Sequence, residues 1–424
     1  MNQRDLGATS RTFPVYKWWL LALIVAGMLV RAGLIAKDFG SIDDPDNYLT
    51  LAKSLWNGEG FAINGRPTAY RPPLFPILLV AVVAAMPGHL ALGIALVQVG
   101  LGVLTILATA ETARRWTFST RAALLAAAIV AFDPVLVSQA RPVMTETLAA
   151  FLAAVTLLGL TKPGPAGAAL GGLGFGLSAL CRPSVWPAIG LSALAALFLR
   201  HGARLERLRF ATLMVAASLL IVAPWAIRNA IVLGEPIITT THGGYTLYLA
   251  NNPVYYQEVL NGPSGTVWTG PNQWLWWDAV NRDTRGMPEP EADRFARRAA
   301  LKVIADQPAD FARASAARLG RFWGLAPAGS VYPRWLRIAS TIWTLPLWIA
   351  LAIGACRRES WRWPMAVAPA FILGLSFVHA FFWTDLRMRA SIVPALALVA
   401  PLAIRRFPIP QAGLEPIRVR LERG

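Results

Sequence analysis

Three aspartates stand within four residues near the start of the chain. Asp43, Asp44 and Asp46 lie in the segment 41–48, directly after a long apolar run. A carboxylate at such a place can act as a general base toward a hydroxyl group, or it can help to hold a divalent cation. Asp44 before Pro45 also fits a helix N-cap followed by proline, where an acid stabilises the helix dipole. The two interpretations are compatible, because a capping carboxylate keeps a free lone pair.

Arginines at the ends of the apolar runs are the matching cations. A phosphate leaving group needs cations or hydrogen-bond donors more than a general acid, and the planar guanidinium group suits phosphate oxygens. Contact with lipid headgroups is favoured for Arg182 and Arg228. Phosphate binding is favoured for Arg71 and for the Arg387/Arg389 pair. The arginines predicted to share one membrane face are Arg71, Arg141, Arg182, Arg228, Arg387 and Arg389.

Glu146 begins an apolar run near the same predicted face. An unpaired carboxylate in a membrane is costly, so Glu146 must be paired, cap a helix together with Thr145, or face a functional cavity. Asp133, directly before Pro134, presents the same alternatives and ranks below Glu146.

The composition indicates which kind of element positions these residues. Of the 424 residues, 55% are hydrophobic and only 15% are charged, against about 25% in soluble proteins. Two cysteines and four scattered histidines exclude a disulfide framework and a helical metal site. The net charge of +17 would suggest nucleic acid in a soluble protein, but here the basic residues lie between apolar runs, where they fix topology and contact anionic lipid. We therefore predict an all-α polytopic membrane protein without a nucleic-acid partner.

Ten apolar runs are candidates for membrane-spanning helices, which need about 20 apolar residues each. An eleventh run, 74–86, has only about 13 residues, which suits an interfacial helix in the outer leaflet. The glycine-rich run 166–181 has the small residues that allow close helix packing. The ten candidates are 18–36, 90–112, 121–138, 143–161, 166–181, 184–199, 208–227, 335–355, 363–382 and 390–404.

The basic clusters predict the orientation. If 74–86 does not cross, all the clusters and both termini lie on the cytoplasmic side. Two amphipathic stretches, 289–305 and 308–321, are predicted to lie on the membrane surface. The predicted domains are an N-terminal catalytic module (1–227, with a first outer loop at 37–73), an extracytoplasmic loop domain (228–333), C-terminal membrane helices (334–405) and a basic tail (406–424). The clusters are Arg11/Lys17, Arg114/Arg115/Arg121, Arg200/Arg204/Arg207/Arg209, Arg357/Arg358/Arg362 and Arg405/Arg406.

Several short motifs, in their order along the chain, resemble those of a known family. They are Asp43-Asp44-x-Asp46-x-Tyr48, Gly58-x-Gly60-Phe61, Tyr70-Arg71-Pro72-Pro73-Leu74, Arg141-Pro142-Val143-Met144-Thr145-Glu146, Pro224-Trp225-Ala226-Ile227-Arg228-Asn229, Gly243-Gly244-Tyr245, Asn251-Asn252-Pro253 and Arg387-Met388-Arg389 with Pro394. Together they resemble membrane glycosyltransferases of the GT-C fold, in the family 39 branch of protein O-mannosyltransferases and lipid A aminoarabinose transferases. The family has tyrosine where this chain has Met388.

The resemblance implies transfer of a sugar from a polyprenyl-phosphate donor, with inversion, at the outer face of a bacterial-type cytoplasmic membrane. It maps the first-loop aspartate of the family onto Asp44. A second acid common in relatives is replaced by Pro45, so Asp43 and Asp46 remain alternatives for the base. Glu146 would face the same cavity. The residues expected at the donor phosphate are Arg71, Tyr70, Arg387, Arg389, Arg228 and Arg141, and those expected in the substrate cavity are Tyr48, His242, Tyr245, Asn251 and Asn252.

The acceptor is a glycolipid, a cell-wall polymer or a protein. Some members of the fold use a divalent metal and others do not, so no metal site is predicted. The alternative functions are a transporter or flippase of lipid-linked sugars, which needs ionisable groups near the bilayer midplane, and a subunit without catalysis.

Overall fold

The computed structural model describes residues 3–404 apart from 118, 264–265, 269 and 330–331, with side chains from residue 15 onward. The regular secondary structure in this part of the chain is helical except for one short hairpin, in which β1 (Ala62–Ile63) pairs antiparallel with β2 (Arg66–Pro67). The helices are α1 (Gln3–Ala36), α2 (Tyr48–Trp56), α3 (Leu74–Ala85), α4 (Leu90–Thr117), α5 (Thr120–Phe132), α6 (Pro134–Ser138), α7 (Glu146–Gly159), α8 (Gly164–Cys181), α9 (Trp186–Leu199), α10 (Arg204–Leu233), α11 (Gly243–Ala250), α12 (Pro253–Asn261), α13 (Pro271–Asp283), α14 (Glu289–Asp306), α15 (Pro308–Phe322), α16 (Arg334–Ala355), α17 (Val367–Phe381) and α18 (Val393–Val399).

Six helical segments in the described ranges are long and apolar enough to cross a membrane. The six are Val15–Ala36, Pro87–Thr117, Gly164–Cys181, Arg204–Leu233, Arg334–Ala355 and Leu386–Ala403. Five shorter apolar helices accompany them: Leu74–Ala85, Thr120–Phe132, Glu146–Gly159, Pro183–Leu199 and Val367–Phe381. Each of the eleven predicted apolar runs overlaps one of these segments. The chain is an all-helical integral membrane protein.

Two predicted spans are less regular than expected. The run 121–138 was predicted as one helix, but it divides into α5 and α6 at Asp133. Pro134 has no N–H to continue the first helix, and Asp133 caps the second by accepting a hydrogen bond from the Leu136 N–H at 2.9 Å. The last span combines a 3₁₀ segment at Leu386–Ile392, the short helix α18, and a second 3₁₀ turn at Ala400–Ala403.

Close packing between α8 and α10 depends on glycine. A Cβ on Gly172 would lie 2.3 Å from the Met214 carbonyl oxygen, and one on Gly176 would lie 2.7 Å from the Ser218 carbonyl oxygen. The hydroxyl of Ser218 donates to the Gly172 carbonyl at 3.0 Å. Small residues therefore let these two helices touch at their backbones, as the glycine-rich run predicted.

Five helices, α11 to α15, lie between the membrane candidates α10 and α16. Within them, α14 and α15 match the two amphipathic helices predicted at 289–305 and 308–321. The Arg405/Arg406 cluster and the tail 406–424 lie outside the described residues. The predicted domain boundaries and the orientation in the membrane stay predictions.

Candidate functional site

A cavity of about 980 Å³ brings together most of the charged side chains discussed below. It lies where the first loop, the start of α7, the junction of α8 with α9, the helix α11 and the end of α17 meet. Its charged lining residues are Asp46, Glu146, Arg71, Arg182, Arg297 and Arg387. Because Arg297 is also paired with Asp293 outside the lining, the other three arginines exceed the two carboxylates by one positive charge, which favours an anionic ligand.

Asp46 and Arg71 form the first charged cluster on the cavity wall. The Asp46 Oδ1 accepts a hydrogen bond from the Arg71 Nη2 at 2.7 Å, and both side chains are about four-fifths buried. Asp46 precedes Asn47, which has a left-handed backbone (φ 60°) that asparagine tolerates better than most residues. This turn directs Asp46 into the cavity before α2 begins.

His242 and two tyrosines support Arg71. The His242 ring lies 4.3 Å from the Tyr70 ring and 5.2 Å from the Tyr245 ring, measured between centroids. Its Nε2 lies 3.4 Å from the Arg71 Nη1. Burial lowers the pKa of His242 to about 3, and the nearby Arg71 cation acts in the same direction. The ring is therefore neutral near pH 7, and its Nε2 can accept a hydrogen bond from Arg71. Tyr48, His242 and Tyr245, which were predicted in the substrate cavity, line this cavity together with Tyr70, which was predicted at the donor phosphate.

Asp44, to which the family aspartate was mapped, is not among the cavity-lining residues. One of its carboxylate oxygens accepts from the Tyr48 N–H at 2.8 Å, and the other accepts from the Leu49 N–H at 2.9 Å. Asp44 does stabilise the N-terminus of α2, but the helix starts at Tyr48 with Asn47 as its N-cap, so the predicted register was wrong. Burial raises the pKa of Asp44, while these hydrogen bonds oppose the rise.

Asp43 has a backbone role in the same loop. Its carbonyl oxygen accepts from the Val143 N–H at 2.8 Å, which ties the first loop to the segment just before Glu146. Asp43 is also absent from the cavity lining, so Asp46 is the member of the acidic cluster that faces the cavity.

Glu146, Arg182 and Arg387 form the second charged cluster. Glu146 is fully buried at the start of α7, and its Oε1 lies 2.9 Å from the Arg182 Nη1 and 3.9 Å from the Arg387 Nε. The Arg182 Nη1 also donates to the Thr145 hydroxyl at 3.0 Å. Neither Glu146 oxygen makes a well-aligned hydrogen bond within the described residues, so the attraction to the arginines is mainly electrostatic. The sequence favoured lipid headgroups as the contact of Arg182, whereas its side chain faces the cavity.

Three of the arginines predicted to bind the donor lie outside the cavity lining. Arg389 is buried and donates to the Gly324 carbonyl at 2.7 Å. It is two residues from Arg387, and positions i and i+2 in a helical segment do not share a face. Arg228 donates to backbone carbonyls of the first loop. Arg141 pairs with Asp38 at 3.0 Å beside a separate small pocket.

Asn251 and Asn252 are buried and also lie outside the cavity lining. The Asn251 Nδ2 donates to the Phe381 carbonyl at 2.8 Å. The Asn252 side chain caps α12 by accepting from the Tyr255 N–H at 2.8 Å. Both asparagines were predicted as cavity residues, but they hold the ends of helices instead.

Arg318 organises the same region from α15. It is fully buried and donates to the Ala250 carbonyl at 2.6 Å and to the Ala380 carbonyl at 2.7 Å. Those carbonyls end α11 and α17, where a cation is stabilised by the negative end of each helix dipole. Arg318 therefore fixes the end of α17 that supplies one wall of the cavity.

That wall is apolar and aromatic. It consists of Leu249, Trp277, Phe377, Val378, Phe381, Phe382 and Trp383. These residues were not predicted to belong to the site, and neither was Arg297, whose helix was predicted to lie on the membrane surface. The only local signal was an arginine within an amphipathic pattern, which cannot distinguish a headgroup contact from a cavity contact.

No group of three or more histidine, cysteine, aspartate or glutamate side chains that could hold a metal ion occurs among the described residues. The groups that line the described site are arginine cations, two carboxylates and an apolar, aromatic wall.

Comparisons with known proteins bear on both the sequence and the fold. Residues 80–168 match the family model for dolichyl-phosphate-mannose-protein mannosyltransferases, named PMT. No curated protein matches the chain.

Among solved structures, the chain is similar to the oligosaccharyltransferase AglB from Archaeoglobus fulgidus in complex with an inhibitory peptide and a dolichol-phosphate. The identity is 16%, the coverage is 92% of this chain and 50% of that one, and the TM-score is 0.53. For the oligosaccharyltransferase from the same organism tethered with an acceptor peptide, the identity is 16%, the coverage is 91% of this chain and 49% of that one, and the TM-score is 0.52. For ArnT from Cupriavidus metallidurans bound to undecaprenyl phosphate, the identity is 17%, the coverage is 91% of this chain and 77% of that one, and the TM-score is 0.41.

The chain spans about half the length of the archaeal enzymes that it matches. At these identities the likeness concerns the fold, and the family match concerns the sequence of 80–168. Both agree with the resemblance identified from the motifs, which is confirmed: the chain is similar to the membrane glycosyltransferases of the PMT family, glycosyltransferase family 39, and has the GT-C type of fold.

Proposed function

We propose that the chain is a glycosyltransferase that moves a sugar from a polyprenyl-phosphate donor to an acceptor hydroxyl group. The observation that carries this proposal is the set of four arginines around one cavity that also has two carboxylates and an aromatic wall. Guanidinium groups bind phosphate oxygens, and the apolar wall suits a prenyl chain. The similar archaeal enzyme AglB was solved with dolichol-phosphate, a ligand of this class.

The donor phosphate would bind between the two charged clusters. Arg182 and Arg387 are attracted to one carboxylate, Glu146, and Arg71 is paired with Asp46. An entering phosphate adds the negative charge that balances the excess of arginines. The same cations stabilise the phosphate as it leaves the sugar, so no general acid is needed on that side.

Asp46 is the proposed general base. Its Oδ1 is held by Arg71, and its Oδ2 makes no hydrogen bond within the described residues, so that oxygen can accept a proton. In the proposed reaction the acceptor oxygen attacks the anomeric carbon from the face opposite the phosphate. The bond to the phosphate oxygen breaks, the proton of the acceptor hydroxyl passes to Asp46, and the configuration inverts.

The proposed topology has ten membrane crossings. They are the six long segments together with α5, α7, α9 and α17, while α3 lies at the membrane interface. The basic clusters then lie on the cytoplasmic side, and the cavity opens on the outer face of a bacterial-type cytoplasmic membrane. A glycolipid, a cell-wall polymer and a protein remain the three classes of acceptor.

The two neighbouring aspartates allow a matched test of the base. Protein reconstituted in liposomes is given polyprenyl-phosphate hexoses and pentoses together with envelope extracts, and the release of polyprenyl phosphate is measured. We expect Asp46→Asn to lower turnover by roughly a hundredfold or more, since general-base catalysis contributes about 10²–10⁴-fold. Asp44→Asn should retain much more activity, because the Asp44 carboxylate contacts backbone N–H groups rather than the cavity.

Normal turnover by Asp46→Asn would contradict its assignment as the base, and a loss found only in Asp44→Asn would move that role to Asp44. Wild-type protein that moves the donor across the bilayer without releasing polyprenyl phosphate would favour the transporter instead.

A further inference from the structure

The helix α14 presents three charged residues at helical spacing toward the cavity wall. Glu289, Asp293 and Arg297 are four residues apart, so they lie along one face of the helix. Arg297 lines the cavity, and the two acids contact the segments that carry Arg71 and His242. This face of α14 therefore adjoins the site.

Glu289 joins two segments that are far apart in the sequence. Its Oε2 accepts from the Thr68 hydroxyl at 2.6 Å, and its Oε1 accepts from the Ala69 N–H at 2.8 Å. The Thr241 hydroxyl also donates to the Oε1, and the Thr241 N–H donates to the Ala69 carbonyl at 3.0 Å. Ala69 directly precedes Tyr70, and Thr241 directly precedes His242. Glu289 therefore joins the two segments that lead into these cavity residues.

Arg228 completes the junction from α10. Its Nη1 donates to the Thr68 carbonyl at 2.8 Å, and its Nη2 donates to the Phe61 carbonyl at 2.9 Å. The hydroxyl of Thr68 in turn accepts from the Tyr70 N–H at 2.9 Å. A cation and an anion thus hold Thr68 from two sides, and the backbone that leads into Arg71 has little freedom to move.

Asp293 makes the second junction one turn further along α14. Its Oδ1 accepts from the Gly244 N–H, and its Oδ2 accepts from Arg297 at 2.8 Å. A Cβ on Gly244 would lie 2.0 Å from the Asp293 carbonyl oxygen, so α11 and α14 touch at their backbones. This contact fixes the start of α11, which carries Tyr245 beside His242.

We propose that Glu289 is a positioning residue that preorganises Arg71 for the donor phosphate, with Arg228 and Asp293 as its supports. The proposal rests on the proposed function. Glu289 does not line the cavity, so it acts through the backbone of Thr68 and Ala69. Fixing a guanidinium group before the ligand arrives lowers the ordering cost of binding, and a loss of that fixation weakens binding without removing any contact with the ligand.

The test uses farnesyl phosphate as a soluble probe, with binding to the full-length protein in detergent measured by calorimetry. We expect Glu289→Ala to weaken binding about tenfold, which corresponds to about 1.4 kcal/mol. Glu289→Gln should restore most of the affinity, because its amide oxygen still accepts from Ala69 and its amide N–H can donate to the Thr68 oxygen. Glu291→Ala, an exposed acid on the first turn of the same helix, is the matched control and should bind as the wild type does.

A double-mutant cycle distinguishes positioning from a general loss of stability. In an Arg71→Ala background, Glu289→Ala should produce no further loss of affinity, because the group that it positions is absent. If Glu289→Ala does not fold, Thr68→Val replaces it. This change removes the hydroxyl that donates to Glu289 and accepts from the Tyr70 N–H, and we expect a several-fold loss of affinity.

Two results overturn the inference. One is unchanged affinity in both Glu289→Ala and Thr68→Val, and the other is a loss that adds fully to that of Arg71→Ala. Wild-type protein that fails to bind farnesyl phosphate contradicts the proposed function itself, and the inference falls with it. Wild-type binding together with unchanged variants contradicts the positioning role alone.

Discussion

Replacing Glu146 by glutamine tests whether the buried carboxylate and the donor phosphate share the same arginines. The change preserves shape and removes one negative charge. The Glu146 Oε1 lies 2.9 Å from the Arg182 Nη1 and 3.9 Å from the Arg387 Nε, and Glu146 is fully buried whereas the arginines remain 16% and 33% exposed. A phosphate that enters this cluster must compete with the carboxylate for both cations.

The size of the effect follows from these distances. Two unit charges about 4 Å apart at an effective dielectric constant of about 20 attract by about 4 kcal/mol. The arginines face a cavity that water can enter, so we expect about half of this, roughly 2 kcal/mol, to survive desolvation and screening. Without ligand, the free energy of unfolding of Glu146→Gln should then be about 2 kcal/mol lower than that of the wild type. The variant should bind farnesyl phosphate roughly 10–30 times more tightly than the wild type.

The assay is a pair of measurements on purified protein in detergent. Calorimetry gives the affinity for farnesyl phosphate, and thermal unfolding with and without the probe gives the linked change in stability. Glu111→Gln is the matched control, because Glu111 pairs with Arg114 at 2.8 Å near the C-terminal end of α4, away from the cavity. If Glu146→Gln binds farnesyl phosphate no more tightly than the wild type while the control binds normally, then the carboxylate and the phosphate do not compete for the two arginines.

Two further predictions concern stability. Burial lowers the pKa of His242 to about 3 from its usual 6.5, so the unfolded chain binds the proton more tightly than the folded one. The contribution of the neutral His242 ring to the free energy of unfolding is therefore fully present above pH 6.5 and is lost as the pH falls toward 3. Between about pH 7 and pH 4, the melting temperature of His242→Gln should therefore fall less than that of the wild type. Identical curves of melting temperature against pH for the two proteins would contradict this. Arg318→Met leaves the Ala250 and Ala380 carbonyls without their donor and should lower the free energy of unfolding by about 3 kcal/mol or more. Arg313→Met, which breaks an exposed pair on the same helix, should cost less than about 1 kcal/mol, and equal melting temperatures for the two variants would rule out the proposed role of Arg318.

The membrane helices could be predicted from the sequence because their cause is local. A segment that crosses a bilayer must be apolar over about 20 residues and must satisfy its own backbone hydrogen bonds, so length and composition reveal it. The same holds for α14 and α15, whose apolar residues recur at helical spacing. The division of the run 121–138 also had a local signal, the proline at position 134, although the prediction did not use it.

The acidic cluster shows where local reasoning reaches its limit. Its position after the first membrane helix was readable, and so was a capping role for Asp44. Which aspartate faces the cavity depends on the left-handed turn at Asn47, and the hydrogen bonds of Asp44 to Tyr48 and Leu49 are available only once that turn has formed. The spacing of the three acids in the sequence is the same whether Asp44 or Asp46 faces the cavity.

The site as a whole was decided by tertiary packing. Arg71 contacts His242 across 171 positions of the sequence, and Glu289 contacts Ala69 across 220 positions. Both contacts depend on how the first loop, the segment before α11 and α14 pack together. Arg387 and Arg389 have the same residue type and nearly the same position, yet one faces the cavity and the other donates to the Gly324 carbonyl. The sequence by itself determined a helical membrane protein with acids and arginines at the ends of its helices. Only the tertiary structure decided which of these charges meet, because the direction of a side chain depends on the neighbours that its element packs against.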